Sequence, residues 1–204
     1  MGHPVSRNAQ VIKFFAQQDH GVPRTRLVKM IYMADIIARR YLGHPISEFD
    51  YQKDKFGPYS PEIPKAIAEL ESLDLVWVKD NKATSQEGRD ASKVLFDSGR
   101  RIIFDFSLGE NEVLGYVVSN YRSMDLKEFI DLVVKKTKPF LAQKRVRAPL
   151  PMDIVDNEGR DLVGFELEAI IKAERQAEAG DFVTARDFFD SFLARLTARH
   201  TESH

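Results

Sequence analysis

The amino-acid sequence predicts a mainly α protein with a small β-sheet or hairpin (α+β), in which a compact helical domain precedes a C-terminal helical hairpin. Three observations support this fold class. Apolar residues recur at three- and four-residue steps through most of the chain, as in amphipathic helices. Residues 75–78 are rich in β-forming side chains. Pro149 and Pro151 separate this part from an acidic stretch. The predicted division is a helical domain over 5–142, a basic, proline-containing linker over 143–152 and an acidic helical hairpin over 153–199.

The first two predicted helices carry the clearest periodicity. Ser6 can cap a helix whose apolar residues Ala9, Ile12, Phe15 and Ala16 share one face. A second, longer helix over 27–41 ends before Gly43 and Pro45, and its apolar stripe predicts the central element of the core.

The next segments predict a mixture of short strands and one helix. Residues 49–56 alternate loosely and predict a short strand, and Gly57-Pro58 predicts a turn. Ser60 can cap a third helix, although Pro64 can move its start later. Residues 75–78 then begin a hairpin whose turn is predicted at Asp80-Asn81.

Capping boxes predict two further helix starts. Thr84 with Glu87 predicts a helix running through Val94 and Leu95. Asp125 with Glu128 predicts another, with Leu126, Phe129, Ile130 and Val133 facing inward. Between them lie a predicted edge strand over 102–106 and an amphipathic helix that carries Val113, Tyr116, Val117 and Tyr121.

Composition excludes several functional classes. The chain has no cysteine, which excludes disulfide scaffolds, thiolate metal sites and cysteine nucleophiles. No apolar run approaches the ~20 residues of a membrane helix, and the first residues lack the pattern of a signal peptide, so we expect a cytoplasmic protein without membrane contact. No nucleophile–base pair or phosphate loop is present, and His200 and His204, which are four residues apart, have no third ligand nearby, so we expect no catalytic residues, no cofactor, no metal and no enzymatic activity.

Charge is balanced overall but unevenly distributed. The formal net charge is −1, yet residues 1–47 carry seven basic against two acidic side chains, and residues 153–190 carry eleven acidic against four basic ones. A further six cations fall within 135–147 without an acid between them. This basic run has two interpretations, a solvated linker or a docking site for nucleic acid or an acidic partner segment.

A polar strip on the second helix is the first candidate functional feature. Lys29, Tyr32 and Asp35 step by three residues beside the apolar stripe, and Asp35 can pair with Arg39. One interpretation is a semi-buried strip that ties this helix to residues 51–58. The other is a partner-binding surface.

A winged helix-turn-helix is an alternative, since a helix over 61–73 precedes a strand, a turn and a second capped segment. A DNA-reading helix needs basic or amide side chains, whereas this one offers Lys65 against four acids. We therefore expect that, if the winged topology is present, it does not read DNA in the usual way.

Three consecutive motifs resemble the Panacea domain of SocA-type antitoxins and proteolytic adaptors. They are the helix with Lys29, Tyr32, Ala34 and Asp35, the turn Gly43-His44-Pro45-Ile46, and the segment from Tyr51 to Gly57-Pro58 ahead of a helix. A later helix ending in Pro139-Phe140 is similar to another family element, with phenylalanine where tryptophan is common. The resemblance covers roughly residues 7–142.

The resemblance implies an antitoxin that neutralises a cognate toxin by direct protein–protein contact. In the SocA-type case the antitoxin also delivers the toxin to an ATP-dependent protease, and no catalytic residues are implied. The stretch 169–184 is similar to the helix–glycine–helix tail with which small bacterial antitoxins wrap toxins. The candidate partner-binding residues are Lys29, Tyr32, Asp35, Tyr51, Phe56, Gly57, Pro58 and Tyr59.

Overall fold

A long helix, α2 (Arg24–Tyr41), is the element around which the rest of the domain packs, in a computed structural model that describes residues 5–81 and 92–155. The remaining helices are α1 (Arg7–Ala16), α3 (Ile63–Ser72), α4 (Leu108–Tyr121), α5 (Leu126–Glu128) and α6 (Lys138–Ala142). The strands are β1 (Val22–Pro23), β2 (Gln52–Asp54), β3 (Gly57–Tyr59), β4 (Val76–Asn81) and β5 (Ser92–Asp97).

Burial of α2 confirms that it is the centre of the core. Every residue from Leu27 to Ala38 is buried, and so is Tyr41. The helix is enclosed on nearly all sides because α1, α4, β1, β3 and β5 all pack against it. α1 is confirmed with its cap: the Ser6 hydroxyl accepts a hydrogen bond from the Ala9 amide at 3.3 Å.

An antiparallel three-stranded sheet with the order β1-β5-β4 lies beside α2. Two predictions in this region are wrong. Asp80 and Asn81 lie within β4 rather than in a turn, and Val94 and Leu95 lie in β5 rather than in a helix. The period-two alternation explains the second error, because Leu95 is buried whereas its neighbours Val94 and Phe96 are only partly covered. The capping-box residues Thr84 and Glu87 lie outside the described residues.

The helices and this sheet together have the order of a winged helix-turn-helix, with α3 in the position of the recognition helix. α3 starts at Ile63, after Ser60 and with Pro64 in its first turn; its N-cap is Glu62, so the predicted Ser60 cap is not formed. The charged residues exposed on α3 are Lys65 and Glu71. This surface does not favour phosphate, and the DNA-binding alternative gains no support from α3.

A second, two-stranded sheet is the hairpin β2–β3, in which Gln52 pairs with Tyr59 and Asp54 with Gly57. The predicted strand over 49–56 is therefore shorter, and Gly57-Pro58 belongs to β3 rather than to the turn. Residues 147–150, within the predicted linker, run along β2: the Lys53 amide donates to Ala148 O at 2.9 Å and the Leu150 amide to Tyr51 O at 2.8 Å. The predicted domain boundaries themselves stay a prediction.

The segment 101–107 forms no strand, although an edge strand is predicted there over 102–106. Its rings Phe104 and Phe106 pack on Phe14 of α1, with centroid distances of 5.9 and 6.1 Å. The next helix, α4, begins at a complete capping box formed by Ser107 and Glu110.

Asp125 caps α5 as predicted, but only three residues are α-helical. The chain continues as a π-helical turn (Phe129–Val133) and a 3-10 turn (Val134–Lys136). Phe129 and Val134 are the buried residues of this segment, so the buried face shifts by one position from the predicted Val133.

The acidic hairpin predicted over 153–199 falls almost entirely outside the described residues, and so does the antitoxin-like stretch 169–184. Within residues 5–81 and 92–155, every helix is too short or too polar to cross a lipid bilayer.

Candidate functional site

The polar strip of α2 lies beneath the hairpin β2–β3. Lys29, Tyr32 and Asp35 are only 4%, 0% and 1% exposed, although each carries a polar group. Side chains of this kind are rarely buried so completely unless their polar atoms are bonded within the protein. The contacts of these three residues therefore decide what the strip does.

Asp35 fixes the loop that follows α2. Its carboxylate accepts hydrogen bonds from the amides of Ile46 at 2.9 Å and Ser47 at 2.8 Å, from the Ser47 hydroxyl, and from the Tyr51 hydroxyl at 2.7 Å. Complete burial raises the pKa of the Asp35 carboxyl, while these hydrogen bonds act in the opposite direction. The Asp35 carboxylate bonds to Ile46, Ser47 and Tyr51 rather than to Arg39, so the predicted pair between Asp35 and Arg39 is wrong.

Tyr32 connects α2 to two other segments. Its hydroxyl lies 2.6 Å from the Thr137 hydroxyl, which donates to Val134 O at 2.8 Å. Its ring meets Tyr51 edge to face, with a centroid distance of 5.1 Å. Burial raises the pKa of both tyrosines, so both are neutral phenols at physiological pH.

Lys29 links α2 to strand β3 of the hairpin by a hydrogen bond. Its ammonium group donates to Pro58 O at 2.6 Å. Gly57, the residue before, has a φ of +99°, and a Cβ there would lie 2.9 Å from Lys29 Cε. Glycine is required at this position both for the backbone conformation and for the close approach of the lysine stem.

Of the eight candidate partner-binding residues, six are buried: Lys29, Tyr32, Asp35, Tyr51, Gly57 and Pro58. Tyr59 is partly covered and Phe56 is exposed, at the turn between the two strands. The structure brings all eight together around the hairpin. This geometry supports the interpretation of the strip as a tie between α2 and residues 51–58, while the partner-binding role of the eight residues stays a prediction.

Sequence reasoning missed three residues of this region. Ser47 is buried against Asp35, and Thr137 pairs with Tyr32. Lys53 of β2 lies over the Phe140 ring, 4.4 Å from its centroid, and donates to Phe140 O at 3.0 Å and Gln143 O at 2.5 Å. The contacts of Thr137 and Lys53 join segments 105 and 87 residues apart, and Ser47 lies 12 residues after Asp35, so the local sequence pattern contains no signal for them.

Clusters of side chains that could hold a metal ion are absent from the described part of the chain. Residues 5–81 and 92–155 contain no group of three or more His, Asp or Glu side chains placed to hold a metal ion. His44 Nδ1 lies 3.1 Å from Pro45 O and 4.0 Å from the Glu110 carboxylate, so it contacts α4 rather than the polar strip.

Residues 27–139, more than half of the chain, match the family model of SocA-like antitoxins with a Panacea domain. The chain belongs to this family. No curated protein and no solved structure matches it. The Panacea match begins in α2, ends in α6 and contains all eight candidate residues. α1 lies before the match, yet it packs against α2 and α3 and completes the core of the Panacea domain.

The buried lysine of the Panacea domain predicts a pH-dependent stability. Burial lowers the pKa of the Lys29 ammonium, Asp54 raises it and Lys135 lowers it, and the net result is a pKa of about 8. Between this pKa and the ordinary lysine value, the unfolded chain binds more protons than the folded one. The free energy of unfolding should therefore rise from pH 8 to pH 10, with Lys29 contributing at most ~1.4 kcal/mol per pH unit.

Urea denaturation at pH 7.5, 8.5 and 9.5 measures this rise, and Lys29→Met should abolish it. The measurement stays below pH 10, because burial raises the pKa of Tyr32 and Tyr121, and these residues destabilise the fold at higher pH. An equal rise in the wild type and in Lys29→Met would contradict the assignment to Lys29.

Proposed function

We propose that the chain is a non-enzymatic antitoxin that neutralises a cognate toxin by direct protein–protein binding. Membership of the SocA-like antitoxin family over residues 27–139 carries this proposal. The buried polar residues support it, because their hydrogen-bonding groups serve to position the hairpin and its turn.

The turn of the hairpin β2–β3 is the surface that we assign to the toxin. Phe56 is 48% exposed there, and the Lys55 ammonium lies 5.6 Å from the centre of its ring. Exposed aromatic side chains are the residues that most often dominate the energy of protein interfaces. Because Lys29 and Asp35 hold the hairpin from below, its turn loses little conformational freedom when it binds.

The charge around this turn indicates the chemistry of the toxin surface. Residues 147–150 run along β2, so the basic run over 135–147 ends beside the hairpin. Lys144, Arg145 and Arg147 are exposed. We infer that the toxin offers an apolar pocket for Phe56 with acidic residues at its rim, and that the cations accelerate association.

Co-expression of the chain with the toxin encoded beside it tests the proposal. We expect growth to be restored and a stable complex to co-purify. Phe56→Ala should weaken toxin binding by about 1–2 kcal/mol, measured by calorimetry. Trp77→Ala is the matched control, because Trp77 is also 48% exposed but lies on β4.

The possible results test the antitoxin function and the assigned toxin-binding surface separately. Continued toxicity without a complex would contradict the antitoxin proposal. If growth is restored but the wild type and Phe56→Ala bind the toxin with equal affinity, the chain is an antitoxin whose interface does not include the hairpin turn. Toxin levels in cells with and without their ATP-dependent protease distinguish sequestration from delivery for degradation.

A further inference from the structure

Within residues 5–81 and 92–155, one backbone edge of the segment 101–107, at Ile102 and Phe104, has no hydrogen-bond partner. Its side chains alternate: Ile102, Phe104 and Phe106 are partly covered, whereas the three residues between and before them are exposed. The rings of Phe104 and Phe106 stack with centroids 5.3 Å apart, as residues two apart do on an extended chain. The segment is thus extended although it belongs to no sheet.

One side of this extended segment is bound by α1. The Asp105 amide donates to the Gln10 side chain at 2.8 Å, and Asp105 O accepts a hydrogen bond from Arg7. In an extended chain, neighbouring residues direct their main-chain groups to opposite sides. The main-chain groups of Ile102 and Phe104 therefore point away from α1, and no residue in the described part of the chain bonds to them.

The exposed side chains of this segment are complementary to those of a second copy of the segment that runs antiparallel to it. Ile103 is 96% exposed, which is exceptional for an apolar residue, and Arg101 and Asp105 flank it at equal distance along the chain. When two such segments pair antiparallel about Ile103, each Arg101 lies opposite Asp105 of the other copy. Opposite charges at directly facing positions favour this register, and like charges would oppose it.

The outward main-chain groups of Ile102 and Phe104 are positioned to form hydrogen bonds in the same antiparallel register. Antiparallel pairing about Ile103 places Ile102 opposite Phe104 of the other copy, and both direct their main-chain groups outward. These residues can exchange hydrogen bonds, two on each side of the symmetry axis. Ile103 then meets its own copy in the closely spaced, non-hydrogen-bonded type of pair, which brings the two exposed side chains into contact.

We propose that residues 101–105 form a symmetric homodimer interface by antiparallel β-pairing with a second copy of this chain. The partner is a second copy rather than an unrelated protein, because the charges are arranged symmetrically about Ile103. The pairing is independent of the antitoxin role and of the hairpin turn. A single short strand pair buries little area, so association is expected in the range of ~10–1,000 µM.

Sedimentation of the full chain over this concentration range tests the proposal. Arg101→Asp places two aspartates opposite each other at both ends of the pair, and Asp105→Arg does the same with two arginines. Each single variant should associate about tenfold more weakly than the wild type or remain monomeric. The double variant Arg101→Asp/Asp105→Arg restores both opposite-charge pairs and should dimerise as the wild type does.

Mixing the two single variants gives the sharpest result, because each supplies the charges that the other lacks. The mixture should contain heterodimers, while neither variant dimerises alone. Ile103→Asp should be monomeric, whereas Leu132→Asp, a control at an exposed apolar residue on the π-helical turn, should behave as the wild type does. Circular dichroism confirms that the single variants are folded.

Three results would overturn the proposal. A wild-type chain that is monomeric throughout the range excludes the dimer. A dimer that the single charge variants leave unchanged uses another surface. A monomeric wild type whose Arg101→Asp variant loses toxin binding would assign this edge to the toxin.

Discussion

Replacing Asp35 with alanine is expected to lower the free energy of unfolding by about 3–5 kcal/mol. The Asp35 carboxylate accepts four hydrogen bonds in a fully buried position, from the amides of Ile46 and Ser47 and from the hydroxyls of Ser47 and Tyr51. Alanine leaves these donors buried and without an acceptor, and each stranded donor costs its desolvation free energy. Urea denaturation monitored by circular dichroism measures the loss.

Tyr51→Phe is the matched control, because it removes one donor and leaves the carboxylate with its three other hydrogen bonds. Its expected cost is about 1 kcal/mol. Asp35→Asn should fall between the two, since an amide offers one acceptor oxygen but directs an NH₂ group at other donors. An Asp35→Ala variant as stable as Tyr51→Phe would show that the network contributes little.

The Asp35 network also predicts how stability and binding are related. Asp35 holds the loop that leads into β2, and Lys29 holds β3 from below. Asp35→Ala should therefore weaken both folding and toxin binding. Phe56→Ala should weaken binding much more than folding, because the Phe56 side chain is 48% exposed at the hairpin turn and takes no part in the Asp35 network. The comparison separates residues that support the binding surface from those that contact the toxin.

Periodicity and capping predicted α1 and α2 well, but they were less reliable further along the chain. α1 starts after its predicted cap, and α2 is the buried centre of the domain, because these features depend on residues at most a few positions apart. The sequence predicts a helix instead of β5, because the capping-box pattern of Thr84 and Glu87 predicts a helix that continues through Val94 and Leu95. The pairing of β5 with both β1 and β4 decides its conformation, and such pairing is not local.

The candidate site was predicted as a set of residues but not as an arrangement. The step of three between Lys29, Tyr32 and Asp35 correctly placed them on one strip. Whether such a strip faces solvent depends on what covers it, and here the cover includes Ser47, the hairpin and Thr137. The run over 147–150 likewise resembles a linker in sequence, because its hydrogen bonds to β2 span about a hundred residues of chain.

Breaking the buried ion pair between α1 and β5 should cause the second large loss of stability. Lys13 is completely buried, and its ammonium group pairs with Asp97 and donates to Leu75 O at 3.0 Å. Asp97→Ala leaves this cation in the core with one neutral acceptor. We expect the free energy of unfolding to fall by about 3 kcal/mol, since removing one partner strands the other charge.

Removing the cation as well should recover much of this loss. Lys13→Met keeps a chain of similar length in the core, and Leu75 O retains hydrogen bonds from the Ser98 amide at 3.2 Å and the Ser98 hydroxyl at 2.9 Å. The Asp97 side chain is 22% exposed, so water can solvate it when Lys13 is absent, and Lys13→Met alone should cost about 1–2 kcal/mol. The double variant Lys13→Met/Asp97→Ala should then be more stable than Asp97→Ala. Urea denaturation of the wild type, both single variants and the double variant forms a double-mutant cycle. If the two losses simply add, the two charges contribute independently. Lys13→Met can stabilise the Asp97→Ala variant only if Lys13 is left there as an unpaired buried cation.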